Sequence, residues 1–223
     1  MKYKTCISIA ETNPVKVNKI LNISLKKSDY VEVRFDFLKP EQIPVVLERI
    51  KKDLKKTICT IRPKKEGGKF DGNEKERISI LKLISEYNPF LIDVEFNTMK
   101  KNKELVKYLK STKSNLLISE HDFKKTPNIS DLQKKIKQMR KFSRNIKIVT
   151  TAKTIDDSTR ILEIYRKKKN LNLIAFAMGD QGRFSRILSL YLGSPYTYVS
   201  LNKPVAPGQF SIDEIKKIIN LKK

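Results

Sequence analysis

His121, the only histidine in the chain, stands in the run LLISEHDFKKTP. An imidazole is the side chain whose ordinary pKa lies nearest neutrality, which makes His121 the natural candidate for general acid–base work. The competing structural reading is a core histidine satisfied by hydrogen bonds. The apolar residues 116–118 and the Pro-containing loop after the ring predict a buried strand that delivers it to a loop at its C-terminal end. Lys147 is the second candidate. In NIKIVTTAK it is the only charge among Ile146, Ile148 and Val149. Burial in an apolar strand favours a neutral amine, and a neutral amine attacks ketones and aldehydes to form Schiff bases. Lys153 is the competing amine, and its flank TTAKTIDD predicts a more exposed strand-to-helix loop.

Other charges recur at the ends of apolar runs. In VEVRFDF, period-2 alternation puts Glu32, Arg34 and Asp36 on one face and Val31, Val33, Phe35 and Phe37 on the other. Arg62, Asp93, Glu95, Glu120, His121 and Lys147 are expected to line a polar cavity in the same way, since so many buried charges are costly without a function. Arg186, in the first turns of the helix predicted from GRFSRI, is a candidate for holding a carboxylate. The loop PVAPGQFS presents Gln209 after the last strand-like run.

These residues need a scaffold, and the chain alternates between two periods. Strand-like runs (YKTCISIA, DYVEVRFDFL, KKTICTIRP, PFLIDVEF, NLLISEHDF, NIKIVTTAK, LNLIAFAMG, YTYVSL) alternate with amphipathic segments of helical spacing. The last of these, SIDEIKKIINLKK, opens with a Ser cap and an acidic first turn. Eight strand–helix units imply parallel pairing through right-handed crossovers, and hence an α/β fold, a compact (β/α)8 TIM barrel. A doubly wound open sheet is the alternative. The first strand, however, ends in AETNP and not in a Gly-rich phosphate loop.

Composition bounds the rest. A chain of 223 residues with 39% hydrophobic content supports one domain spanning 1–223. The net charge of +24 favours anionic ligands, but KKDLKK, KKNK and RKKKN read as polar helix faces, without the interleaved aromatics of a nucleic-acid platform. Cys6 and Cys59 each lie in an apolar run without metal-ligand spacing, so buried thiols in a reducing compartment are expected. No stretch approaches the roughly 18 apolar residues of a membrane span, and the N-terminus has no signal-peptide core; a cytoplasmic protein is expected.

Taken in order, ISIA, EVRFD, IRPKKEGG, IDVEF, SEHDFKKTP, IKIVTTA, MGDQGRFSRI, LGS and APGQFS resemble type I 3-dehydroquinate dehydratase, the Schiff-base enzyme of the shikimate pathway. Each motif alone is weak, but the ordered set covers nearly the whole chain. The resemblance implies that Lys147 forms an imine with the C3 ketone of 3-dehydroquinate. It implies His121 as general acid–base and Glu66 as the residue that orients the imidazole. Ser8, Glu32, Arg34 and Arg62 would contact the substrate ring, and Arg186 its carboxylate, with Gln209 beside it. Val205 departs from the family, standing where bacterial relatives often carry a substrate-contacting Ser. The resemblance also implies a homodimer that uses neither metal nor organic cofactor. Two other functions are weighed: a class I aldolase acting on a sugar phosphate, with MGDQG as a partial phosphate loop, and a basic RNA-binding barrel. The 203–210 loop, rich in Pro and Gly, fits a lid or a static turn equally.

Overall fold

The computed structural model describes residues 3–220. Its strands are β1 (Thr5–Ile9), β2 (Tyr30–Arg34), β3 (Thr57–Thr60), β4 (Leu91–Glu95), β5 (Leu116–His121), β6 (Asn145–Thr151), β7 (Asn172–Met178) and β8 (Thr197–Val199). Its α-helices are α1 (Pro14–Lys27), α2 (Ile43–Arg49), α3 (Glu74–Glu86), α4 (Phe96–Lys101), α5 (Lys103–Ser111), α6 (Ile129–Met139), α7 (Ile155–Glu163), α8 (Ser185–Tyr191) and α9 (Ile212–Asn220). The strands form one parallel sheet in the order β7-β6-β5-β4-β3-β2-β1-β8, a nearly closed (β/α)8 barrel.

Local chemistry starts the helices where the sequence marks them. Asn13, Asn73, Asn102 and Asn128 cap α1, α3, α5 and α6 by accepting from first-turn N–H groups, which otherwise have no partner. The Ser expected to open the last helix does so: Glu214 N donates to Ser211 Oγ, and Ser211 N donates to Glu214 Oε2.

Strand alternation sorts the core into two layers. Ile146, Ile148, Ile118, Val31, Val33, Ile92 and Val94 face the helices. Cys6, Ile58, Leu91, Leu117, Val149, Ile174, Phe176, Tyr196 and Tyr198 pack inside the barrel. Toward the barrel mouth the inward positions turn polar at Ser8, Glu32, Thr60, Asp93, Ser119 and Lys147, while Val149, Phe176, Met178 and Tyr198 keep one wall apolar.

Three local expectations are corrected. First, β2 ends at Arg34 and the chain enters a 3-10 turn over Phe35–Phe37. Asp36 is therefore not a third member of a strand face; it folds back to accept from Arg34 Nε and Nη2 at 2.8 and 2.7 Å and from Lys69 N at 2.9 Å. Second, Glu120 and His121 are consecutive in a strand and so point to opposite faces. Glu120 turns outward to pair with Lys135 of α6, and His121 alone points to the cavity. Third, Phe96, the last residue of the strand-like run PFLIDVEF, instead opens α4.

Candidate active site

Lys147 is the third residue of β6, opposite Ser119 on one side and Ile174 on the other, and points inward with 6% of its surface exposed. The sequence places it among apolar neighbours alone, whereas the folded surroundings are charged. Its Nζ lies 3.4 Å from Asp93 Oδ2, 3.9 Å from Glu32 Oε1 and 4.2 Å from the centroid of the Tyr198 ring. Both carboxylates are held in place. Glu32 accepts from Ser8 Oγ and Thr60 Oγ1, each at 2.8 Å. Asp93 accepts from Arg62 Nη2 at 2.6 Å and from Ser119 Oγ. Burial works against the Asp93 carboxylate, but Arg62 and Lys147 outweigh it and hold its pKa below the usual value.

His121 closes β5, one inward step nearer the barrel mouth than Ser119, the residue paired with Lys147. Its Nδ1 lies 3.1 Å from Glu66 Oε2. Glu66 comes from the turn Lys64–Glu66 after β3, which ends on Gly67 in the left-handed region at φ 73°. Gly68 follows so close to the Arg62 carbonyl oxygen that a Cβ there would sit 1.9 Å from it. Burial pushes both partners toward their neutral forms. It drives His121 well below the usual imidazole value, reinforced by Arg62, Lys147 and Arg34, and lifts Glu66 to about 8 against the pull of Arg62. With both shifts in that direction, the imidazole at neutral pH is able to accept a proton.

The three arginines differ in what occupies them. Arg34 forks onto Asp36 and stacks on Phe37. Arg62 is 3% exposed, and its Nη1 donates to Glu95 and Ser119 while Nη2 donates to Asp93. Arg186 is 2% exposed but has no carboxylate partner among the described residues. Its Nη2 donates to the Pro207 carbonyl at 3.0 Å, its plane lies 4.2 Å from the Phe176 ring centroid, and its Nε has no partner. Burial alone lowers its pKa to about 10. A buried, unpaired guanidinium is a receptor for an anion. Gln209 accepts from Val205 N at 2.8 Å, pinning the 203–210 loop and occupying the Val205 N–H.

Ser8, Glu32, Arg34, Arg62, Glu66, His121, Lys147, Arg186 and Gln209 all line one cavity of about 140 Å³ at the C-terminal end of the barrel. Lys153 is exposed beyond the end of β6 and does not line it. The sequence reading missed Tyr198, Phe176 and Met178 in the wall and Thr60 and Ser119 behind the carboxylates. Their type carries no chemical signal, and only the period-2 alternation of β3, β5, β7 and β8 marks them as inward.

Parallel strands in barrel order, with a buried amine, an imidazole and an unpaired guanidinium meeting at the C-terminal mouth, define a (β/α)8-barrel enzyme. The model of the type I 3-dehydroquinase family matches residues 5–223. The chain is 36% identical over 220 residues to the 3-dehydroquinate dehydratase of Methanocaldococcus jannaschii, with 97% of each sequence covered. It is 36% identical over 203 residues to that of Dehalococcoides mccartyi, covering 87% of this chain and 88% of the relative. Among solved structures, 3-dehydroquinate dehydratase from Aquifex aeolicus superposes with a TM-score of 0.80 at 27% identity, covering 98% of both chains. The Geobacillus kaustophilus enzyme shares the fold with a TM-score of 0.89 at 22% identity, covering 99% of this chain and 91% of its own. The chain belongs to the type I 3-dehydroquinase family.

Proposed function

We propose that the chain, acting as one catalytic domain over 1–223, dehydrates 3-dehydroquinate to 3-dehydroshikimate through an imine on Lys147, with His121 as general acid–base. The observation that carries this reading is the single cavity in which the Lys147 amine, the His121–Glu66 pair and the unpaired Arg186 guanidinium meet.

The chemistry runs as follows. The Lys147 ammonium first gives a proton to His121, the amine so freed adds to the ketone carbon, and the proton returns to the carbinolamine hydroxyl, which leaves as water to give an iminium. Asp93, Glu32 and the face of Tyr198 surround that nitrogen and stabilise its positive charge. The iminium acidifies the adjacent C–H, and His121 takes that proton as the electron pair forms an enamine. The enamine expels the β-hydroxyl, which leaves as water with the proton returned by the imidazolium. Water then adds to the product iminium and releases the enone and the Lys147 ammonium. The net change is loss of one water.

Arg186 binds the substrate carboxylate, and Gln209 holds the 203–210 loop against it. Glu32, Arg34 and Arg62 receive the ring hydroxyls, Ser8 keeps Glu32 in position, and Glu66 orients His121. In this reading the enzyme is a cytoplasmic homodimer. The dimer is carried over from the resemblance alone, and the free, buried Cys6 and Cys59 fit a reducing compartment. Adding 3-dehydroquinate to the purified chain should raise the ultraviolet absorbance of a conjugated enone. The Lys147→Ala variant should raise none, and a silent wild-type chain would overturn the assignment.

A further inference from the structure

Behind the catalytic wall lies a buried ion-pair chain whose outer members, Glu95, Arg77 and Glu74, no step above uses. Arg77 sits on α3, in the outer helical layer, yet is fully buried. It reaches past the ends of β3 and β4, donating from Nη1 to the Ile61 carbonyl at 3.2 Å and to Glu95 Oε2 at 2.6 Å. Its Nε and Nη2 fork onto Glu74 at 2.9 and 2.8 Å, and Nη2 also donates to Thr98 Oγ1 at 2.6 Å. The other oxygen of Glu95 receives Arg62 Nη1 at 2.7 Å. Arg62 in turn holds Asp93, the carboxylate nearest the Lys147 amine. Charge therefore alternates from Lys147 through Asp93, Arg62, Glu95 and Arg77 to Glu74, whose side chain is 54% exposed.

We propose that Arg77 is a positioning residue of the active site, which keeps Glu95 ionised and fixed so that Glu95 and Asp93 together hold Arg62 in the cavity. The inference rests on the dehydratase reading for its substrate. Its physical basis is the position of Glu95. That carboxylate is 1% exposed, and the charged groups facing it are Arg62 from the end of β3, Arg77 from α3, Asp93 from its own strand and Glu66 from the turn after β3. Two of these are carboxylates, so Glu95 needs both cations to stay charged; burial already raises its pKa with both present. With one cation gone it takes up a proton, and Arg62 loses one of its two anionic anchors. A guanidinium released by even ~1 Å from the substrate hydroxyls costs about a hundredfold in rate.

Arg77→Met should lower kcat/KM by about a hundredfold near pH 6. It should also move the acid limb of the kcat/KM profile upward by at least about one unit, because Glu95 then titrates within the working range. Arg77→Met combined with Glu95→Gln should stay slow but lose the added limb. Arg77→Lys, which keeps the charge and fewer donors, should fall between. Glu74→Gln, which removes an anion at the half-exposed end and keeps Arg77, should move the limb the other way by a smaller amount, and it keeps the test open if Arg77→Met fails to fold. An acid limb unmoved in every variant that folds, with activity lost only in proportion to the folded fraction, would overturn the role of Arg77. Trapping of the wild-type imine on Lys147 with borohydride separates the two claims. If trapping fails, the reaction itself is misread; if it succeeds beside an unmoved pH limb, only the role of Arg77 falls.

Discussion

At the scale of single residues, nucleophile and proton carrier are different groups. His121→Ala should still form the imine but lose turnover by about 10² to 10⁴-fold, the usual worth of a positioned acid–base group. Wild-type turnover in that variant would remove His121 from the mechanism. Lys147→Ala should lose both imine and turnover, and imine retained there would shift the assignment to Lys153. The His121–Glu66 pair also predicts pH dependence. His121 lies well below the ordinary imidazole value, so kcat should hold through pH values where a free imidazole is already protonated, and fail only at greater acidity. Glu66 behaves oppositely. Its folded pKa of about 8 exceeds the unfolded 4.5, so its contribution to stability is complete below the unfolded value and lost as pH rises through about 8. Glu66→Gln should therefore gain in Tm relative to wild type as pH rises from about 5 to about 9. A Tm difference that stays constant across that range would contradict a raised Glu66.

At the scale of elements, the strand–helix alternation was plainly legible, and so were most inward positions. A lone Lys147 in an apolar run and a lone His121 at a strand end stand out because nothing nearby shares their chemistry. Glu120 was misread because two consecutive polar residues cannot both face one side of a strand. Arg77 was invisible for a different reason. In KERISILKLISEY it looks like one more charge on the polar face of an amphipathic helix, and only tertiary packing turns it inward. The period-2 pattern puts Glu32, Asp93 and Lys147 around one polar cavity, but only the folded register brings the two carboxylates to 3.9 and 3.4 Å from the amine. The loop after β3 shows how an element serves the site. Gly68→Ala would drive a Cβ into the Arg62 carbonyl, so the turn carrying Glu66 must shift. Activity should fall more than Tm, because the turn sits at the barrel mouth and not in the core. Wild-type kcat in Gly68→Ala would mean that the turn does not set the His121–Glu66 geometry.

At the scale of the whole molecule, barrel closure brings side chains from six of the eight strands, and from the segments after β3, β5, β7 and β8, to one mouth in a chain of net charge +24. A field of that sign draws an anionic substrate toward the cavity, and salt screens it. Raising ionic strength should lower kcat/KM by about tenfold while leaving kcat unchanged. A flat kcat/KM would mean that the lysine-rich surface plays no part in capture. Among the described residues no helix is long and apolar enough to cross a membrane. Sedimentation velocity should report twice the monomer mass of 25.9 kDa if the homodimer holds. The most direct test of the central claim is borohydride reduction in the presence of 3-dehydroquinate, followed by peptide mass mapping. One stable adduct, on Lys147, is expected. An active enzyme that carries no adduct, or carries it on Lys153, would contradict it.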